Sequence, residues 1–119
     1  MKVMISSMGG GLESVIDTRF GRAHGFIRYD TDTGAWERVD NKQNLNAAQG
    51  AGIQTAQTCI DAGANVVITG NCGPKAFTVL KAAGIAVYVV DGGSIKDALD
   101  KLAAGTLTKS DGANVDSHW

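Results

Sequence analysis

The chain has 119 residues, the length of one domain, which is enough to bury one core between a sheet and its helices. Hydrophobic residues make up 44% of the sequence and charged residues 19%, and 16 glycines stand against one proline, which indicates a globular protein with many tight turns. The formal charge is −1 and the 11 basic residues form no run, so the sequence lacks the basic footprint of a nucleic-acid-binding protein.

The chain begins with a predicted strand and a predicted hairpin. Residues Lys2–Ser6 form an apolar strand that is too short for a signal peptide, and no stretch approaches the roughly 20 apolar residues of a membrane span. We therefore expect a cytoplasmic protein without membrane contact. Residues 25–30 and 35–40 alternate around the acidic turn at 31–34, which predicts a hairpin at one edge of the sheet.

A helix is predicted in the middle of the chain. The stretch 41–49 is polar and rich in turn residues, which is typical of a crossover loop. The helix that follows is predicted over 50–62, with Ile53, Ala56 and Ile60 as its apolar stripe.

The second half of the chain alternates strand and helix. Residues 64–69 and 85–90 are apolar runs rich in β-branched residues, the pattern of parallel strands covered on both faces. Residues 74–83 between them have helical spacing and a proline in the first turn, so the three elements form one βαβ unit. A last helix is predicted from the Ser94 cap to Gly105. With the first strand, the two runs are expected to form the centre of the sheet.

Residues 1–105 are accordingly predicted to be a single α/β domain. Residues 106–119 show no periodicity, which indicates a loosely ordered tail. The tail ends in His118 and Trp119, and a lone terminal histidine is more often solvated than bound to a metal.

Three Gly-rich loops follow the predicted central strands. Ligands of parallel sheets gather beyond the carboxyl ends of the strands, where this sequence has residues 6–11, 70–75 and 91–94. We expect these loops to line one crevice, although tight turns alone would also explain the glycines of any single loop. Met8 in the first loop either packs at the rim or presents a soft thioether to sulphide.

The second of these loops has the strongest pattern of an anion site. Pro74 begins a helix whose free N–H groups and positive dipole end favour an anion, and Lys75 adds a full positive charge. The P-loop pattern is absent, so nucleotide hydrolysis has little support. The candidate binding residues of this loop are Gly70, Asn71, Cys72, Gly73, Pro74 and Lys75.

The two cysteines do not form a metal site by themselves. Twelve residues separate Cys59 from Cys72 and no C-x-x-C is present, which excludes a four-thiolate zinc or iron–sulphur site within one chain. Cys72 stands at a helix N-terminus, which predicts a lowered thiol pKa and a metal-binding thiolate; the alternative is an inert small residue in the turn. Cys59 is expected to pack in the core.

A second candidate segment precedes the hairpin. Arg19 and Arg22 flank Phe20–Gly21, and His24 follows, so two guanidinium groups and an imidazole surround an aromatic ring in one loop. Guanidinium groups supply directed donors to sulphur or oxygen, and an imidazole can donate a hydrogen bond or ligate a metal. The alternatives are solvated surface charge, a ring that fills the core, and pairing of Arg19 with Asp17 that only fixes the loop.

No enzyme motif is recognisable in the sequence. Gly-x-Ser-x-Gly and His-Glu-x-x-His are both absent. Asp30 and Asp32 stand in the predicted hairpin, where aspartate favours the turn. We therefore predict a binding protein that is not an enzyme.

Four segments form a recognisable set: DTRFGRA at 17–23, FIRYD at 26–30, VITGNCGPKA at 67–76 and AGIAVY at 83–88. This set resembles the dinitrogenase iron-molybdenum cofactor biosynthesis family, and the resemblance covers nearly the whole chain. It implies a ribonuclease-H-like α/β fold, with a mixed sheet of about five strands and helices on both faces.

The same resemblance implies binding of a metal–sulphur cluster without catalysis. The chain is particularly similar to a single-domain member that carries a molybdenum–copper sulphide cluster, and a FeMo-cofactor-like cluster is the related possibility. His24 and Cys72 stand where family members vary, which favours electrostatic holding of a preformed cluster. The residues that match motif positions of the family are Arg19, Phe20, Gly21, Arg22, Gly70, Asn71, Gly73 and Pro74.

The preferred hypothesis is thus a carrier or store of an anionic metal–sulphur cluster, present as a monomer or weak dimer. In it, Arg19, Arg22, Lys75 and the helix N-terminal amides hold the cluster. The alternative is a regulatory or scaffold module that docks a protein partner, such as an ATPase or a cofactor-maturation factor. A small hydrolase or phosphate-binding protein has the least support, because its motifs are missing.

Overall fold

Three strands are followed by alternating helices and strands in the computed structural model, which describes residues 1–42 and 50–110. The strands are β1 (Lys2–Ser7), β2 (Gly25–Asp30), β3 (Trp36–Asp40), β4 (Val66–Thr69), β5 (Ala86–Val89) and β6 (Thr108–Lys109). The helices are α1 (Ala51–Asp61), α2 (Pro74–Ala82) and α3 (Ile95–Ala104).

The strands form one mixed sheet in the order β3-β2-β1-β4-β5-β6. β1, β4 and β5 are parallel neighbours, with Val3 opposite Val66 and Val66 opposite Ala86. β2 and β3 form an antiparallel hairpin beside β1 and make one edge of the sheet. The predicted α/β fold, the parallel centre and the edge hairpin are therefore confirmed.

Two hydrophobic cores, one on each face, hold the helices to the sheet. Along β1 the side chains alternate, so that Met4 enters one core while Val3 and Ile5 enter the other. Leu80 of α2 packs in the core of Met4, and Ile95 of α3 packs in the opposite core. Each of these fully buried side chains contributes roughly 1.5–3 kcal/mol to folding.

The rotation of α1 differs from the prediction. Ile53 was expected in the apolar stripe but is 42% exposed, whereas Ala56 is buried as predicted. The reason is a close approach of two helices through small residues. A Cβ at Gly52 would lie 3.3 Å from the Cβ of Ala76 on α2, so the side of α1 with the smallest residues faces its neighbour.

The stretch predicted as a tail begins as a strand. Thr108 and Lys109 pair with Val89 and Tyr88, and the Ser110 N–H donates to the Val87 carbonyl. A strand of two residues is too short to show alternation in the sequence. The rest of the tail, with His118 and Trp119, lies outside the described residues, as does most of the predicted crossover loop. In the described ranges no helix combines the length and apolarity of a bilayer span.

Candidate functional site

The two candidate segments meet at the carboxyl end of the central strands. Arg19 and Asn71 form an isolated parallel β-bridge. The Phe20 N–H donates to the Asn71 carbonyl at 3.1 Å, and the Asn71 side-chain amide donates to the Thr18 carbonyl at 3.0 Å. The Arg-Phe-Gly-Arg motif is thereby joined to the loop that leads into α2.

Gly70 is required for this junction. A Cβ at Gly70 would lie 2.6 Å from the Thr18 Cβ and 2.7 Å from its Cα, closer than side chains approach backbone in proteins. The absence of a side chain therefore lets the two loops come into backbone contact. Ser6 at the end of β1 supports the same point, because its hydroxyl donates to the Asp17 carbonyl at 2.6 Å.

A buried carboxylate organises the Arg-rich loop. The side chain of Asp17 is 2% exposed, and its Oδ1 accepts from the Arg19 N–H at 3.1 Å. The Arg19 Nε lies 3.5 Å from the same oxygen, so the pairing with Asp17 that the sequence analysis gave as an alternative is present. Asp17 Oδ2 accepts from the His24 N–H at 3.1 Å and lies 3.0 Å from His24 Nδ1. One carboxylate therefore fixes two of the predicted site residues.

These contacts decide the charge of Asp17. Burial raises the pKa of this carboxyl, but the hydrogen bond with the His24 side chain lowers it. The two backbone hydrogen bonds and the positive charge of Arg19 add to the lowering, and the net pKa lies below the usual value. Asp17 is therefore an anion at neutral pH, and the loop around it is held by charge-assisted hydrogen bonds.

Three cations belong to the joined loops. The Arg19 side chain is 40% exposed although one of its nitrogens contacts Asp17, and Arg22 is half-buried. Lys75 is exposed in the first turn of α2. Gly73 precedes this helix in an extended conformation and provides no side-chain cap. The positive end of the helix dipole and the charge of Lys75 are therefore both found at the start of α2.

Two buried polar residues that the sequence did not single out donate hydrogen bonds to backbone carbonyls of the Arg-rich loop. Thr55 of α1 donates its hydroxyl to the Gly21 carbonyl at 3.1 Å. Asn41 donates its side-chain amide to the Ala23 carbonyl at 2.9 Å. Both are buried, and no sequence pattern distinguishes them from ordinary helix and loop residues. The loop is therefore held at both the Asp17 end and the Ala23 end.

Comparison with known proteins decides the family. The model for "Dinitrogenase iron-molybdenum cofactor" matches residues 1–105. The chain belongs to this family. The apo orange protein from Desulfovibrio gigas is similar in structure, with 38% identity, a TM-score of 0.93 and 96% of both chains covered. The family resemblance predicted from the sequence motifs is thus confirmed.

Two further relatives match most of the chain. A putative NifB protein from Thermotoga is 39% identical, with a TM-score of 0.80 and 91% of both chains covered. An uncharacterised protein of Methanocaldococcus jannaschii is 30% identical over 96 residues, which are 79% of this chain and 81% of the relative.

In this family member, Phe20 is a core residue. It is fully buried, and its ring packs edge-on against Phe26 with 5.7 Å between ring centres. The alternative that the ring fills the core is therefore the one that the structure supports. Phe20 contributes to the site through its backbone N–H and by anchoring the loop between Arg19 and Arg22.

Of the two alternatives for Cys72, the structure supports the inert small residue and not the thiol with a lowered pKa. Cys72 is 1% exposed and packs in the core beneath the loop. Burial raises the pKa of its thiol to about 12, the opposite direction from the one expected at a helix N-terminus. Cys59 is fully buried, as expected. Both thiols are therefore protonated at neutral pH.

The third Gly-rich loop is closed by the chain itself, contrary to the expectation of an open crevice with three loops. The Ile95 N–H at the start of α3 donates to the Ser14 carbonyl, and the Lys96 N–H donates to the Leu12 carbonyl. The Ser94 hydroxyl accepts from the Asp97 N–H at 3.1 Å, as predicted for a cap. The first turn of α3 is thereby satisfied and offers no donors to a ligand.

The first Gly-rich loop turns back on itself before it reaches α3. The Met8 N–H donates to the Val15 carbonyl at 2.9 Å, and the Met8 side chain is 47% exposed. Arg38 of the edge strand, which the sequence did not indicate, reaches this loop and donates through Nη1 to the Gly9 carbonyl. A Cβ at Gly25 would lie 2.6 Å from Arg38 Nη2, so this glycine makes room for the guanidinium group.

The donor set suits an anion better than a bare metal ion. Among the residues that the structure describes, no three His, Cys, Asp or Glu side chains lie together as a metal site would need. Guanidinium, ammonium and amide N–H groups instead bind anions. A metal would have to arrive with most of its own ligands, as it does in a cluster.

Proposed function

We propose that the protein binds and carries an anionic metal–sulphur cluster and does not catalyse a reaction. The bridge between Arg19 and Asn71 carries this proposal, because it joins the Arg-rich loop to the loop before α2. The side-chain cations and the N-terminus of α2 therefore lie on two loops that are paired with each other, and both contribute positive potential. The absence of an enzyme motif in the sequence agrees with a binding role.

The physical basis of binding is local electrostatics. The whole chain has a formal charge of −1, so attraction of an anion depends on where the cations lie and not on their number. Guanidinium groups donate directed hydrogen bonds to sulphide, Lys75 acts as a point charge, and the α2 N-terminus contributes roughly 0.3–1 kcal/mol. The other proposed contacts are the backbone N–H groups of Gly21, Gly70, Asn71 and Gly73, and the ring of Pro74, which has no N–H, as an apolar contact.

The proposed cargo is a molybdenum–copper sulphide cluster, or a related FeMo-cofactor-like cluster. Family membership and the similarity to the orange protein support this choice. A preformed cluster also fits the buried state of Cys72, because sulphide within the cluster replaces the thiolate that the protein does not supply. We propose that this binding takes place in the cytoplasm, with the protein as a monomer or weak dimer.

Reconstitution with tetrathiomolybdate and copper tests the proposal. The mixed protein should keep stoichiometric molybdenum and copper through desalting and show visible charge-transfer absorption. A colourless, metal-free wild-type protein would overturn the proposal. Lys75→Gln and Arg22→Gln should each retain several-fold less metal, because each removes one positive charge from the site. Lys81→Gln, which removes a charge from the last turn of the same helix, is the matched control and should retain as much as the wild type.

A docking role remains the second candidate because two apolar side chains are exposed beside the site. Met8 is 47% and Val15 is 60% exposed, and their backbones are hydrogen-bonded to each other. Such a pair suits contact with a protein such as an ATPase or a maturation factor. Binding of a purified partner by the apo protein, retained in Arg22→Ala and lost in a Met8→Ser, Val15→Ser double variant, would favour docking over cluster carriage.

A further inference from the structure

The imidazole of His24 is held at one nitrogen and open at the other. Its Nδ1 lies 3.0 Å from Asp17 Oδ2, and its backbone N–H donates to the same oxygen at 3.1 Å. The side chain is 40% exposed. No hydrogen bond to Nε2 is present in the described part of the chain. The ring is thus fixed to the loop through Nδ1, and its side chain remains partly exposed.

The surroundings of Asp17 determine which ring nitrogen has the proton. Its Oδ1 accepts from the backbone N–H and the Nε of Arg19, and its Oδ2 accepts from the backbone N–H of His24. A carboxylate surrounded by N–H donors acts as an acceptor, so the fourth contact requires a proton on His24 Nδ1. In the neutral imidazole the lone pair is then on Nε2.

We propose that Asp17 is a positioning residue that presents His24 Nε2 as a protein ligand to a metal atom at the edge of the bound cluster. This inference rests on the proposed function and adds a specific contact to it. Histidine ligands of metals commonly donate their second ring N–H to a carboxylate, which fixes the tautomer and the ring orientation. Imidazole is a suitable ligand for copper, among other metals.

One ligand is enough for a metal that arrives inside a cluster, because sulphide fills its remaining positions. The step is the addition of Nε2 to a metal atom of the cluster: the lone pair of the tautomer with its proton on Nδ1 forms one metal–nitrogen bond, so no proton leaves and no oxidation state changes. The buried, protonated Cys72 does not compete for this position. Asp17 also holds Arg19, so the same carboxylate aligns the metal ligand and one of the cations that attract the cluster.

The tautomer of His24 can be tested in the apo protein by NMR with ¹⁵N-labelled histidine at pH 8. The protein has two histidines, and the His24→Gln variant assigns the signals. The expected result is a proton on Nδ1 and none on Nε2. Asp17→Asn should lose this preference, whereas Asp30→Asn, which changes a carboxylate at the far end of β2, should keep it. A wild-type His24 protonated on Nε2 would overturn the inference, and this measurement needs no variant at site 17.

The ligand role is tested on protein loaded with tetrathiomolybdate and copper. Metal-edge X-ray absorption should show one nitrogen at about 2 Å, the length of a metal–imidazole bond, and His24→Gln should lack it. Asp17→Asn should retain about 10- to 100-fold less cluster, the usual effect of losing such a partner. A loaded wild type with sulphur neighbours alone would overturn the ligand role and leave the proposed function standing. A wild type that takes up no cluster would overturn both.

Discussion

At the scale of single residues, Gly70 shows how a missing side chain makes a contact between loops. A Cβ added at Gly70 would lie 2.7 Å from the Cα of Thr18. Because Thr18 is held there by the hydrogen bond from Asn71, it has little freedom to move away. The junction of the two motifs is therefore sensitive to the smallest possible substitution.

We predict that Gly70→Ala destabilises the protein by about 1–3 kcal/mol, the usual cost of adding atoms to a packed site. The free energy of unfolding from urea denaturation measures this. The matched control is Gly11→Ala, because a Cβ at Gly11 would meet nothing within 4 Å. Equal stability of the two variants would contradict the proposed contact. The Gly70 variant should also retain less cluster, since the loops that hold it are pushed apart.

The site residues for which the sequence-based prediction was wrong or incomplete have one physical cause in common: their surroundings depend on tertiary contacts. Cys72 stands at a helix N-terminus, and that local feature alone predicted a lowered thiol pKa. Its burial depends on residues distant in the sequence, such as Met4 and Phe20 of the same core, and this burial decides the direction of the shift. The sequence suggests a pairing of Asp17 with Arg19, but the contact of Asp17 with His24 requires the loop to fold back on itself.

At the scale of secondary structure, α2 and α3 both begin at a Gly-rich loop but differ in how their first turns are satisfied. The N-cap of α2 is Gly73, which has no side chain to cap the helix. The first turn of α3 is closed by the Ser94 hydroxyl and by the carbonyls of Leu12 and Ser14. The same local sequence pattern therefore leads to one candidate anion site and one purely structural helix start.

We predict that Ser94→Ala lowers stability by about 1 kcal/mol, the typical effect of removing a helix cap, and leaves cluster retention unchanged. Thermal or urea unfolding and the desalting assay measure the two effects. Lys96→Ala, on the exposed side of the same first turn, is the control and should change neither by a measurable amount. A loss of cluster in Ser94→Ala would mean that the α3 loop belongs to the site after all.

The elements that the sequence predicted well are those with a strong local pattern. β4 and β5 are runs of β-branched and apolar residues, and the observed bounds differ from the predicted ones by one or two residues. α1 was predicted with nearly correct bounds but with Ile53 inward, because the close approach of Gly52 to Ala76 is invisible in the sequence. The β-bridge that makes the site joins segments distant in sequence, and no local pattern encodes it.

At the scale of the whole molecule, the two ends of the sheet differ in what they hold. The carboxyl ends of β1 and β4 support the candidate site. At the other end, Lys2 Nζ donates to Asp30 Oδ2 at 2.5 Å, and the N-terminal amine lies 2.9 Å from Asp32. The Lys2 N–H also donates to Asn65 before β4 at 2.7 Å, so this end joins the first strand to both of its neighbours.

Because Asp30 lies at this far end, its effect on stability at acidic pH can be measured separately from cluster binding. The hydrogen bond from Lys2 lowers the pKa of Asp30 from its usual value near 4 to about 2. A carboxyl with a lowered folded-state pKa stabilises the protein above its unfolded-state pKa, and this contribution is lost as the pH falls towards 2. The wild-type free energy of unfolding should therefore decline between pH 5 and pH 2, and Asp30→Asn should decline less over the same range.

At neutral pH Asp30→Asn should be less stable than the wild type and retain the same amount of cluster, because Asp30 ends β2 while the site lies beyond the start of that strand. Urea unfolding across this pH range and metal analysis at pH 7 test the two halves separately. If the free energy of unfolding fell equally in the wild type and in Asp30→Asn between pH 5 and pH 2, the role assigned to the pair of Lys2 and Asp30 would be contradicted. A variant that loses cluster while it remains folded would mean that the two ends of the sheet are coupled through β1 and β2.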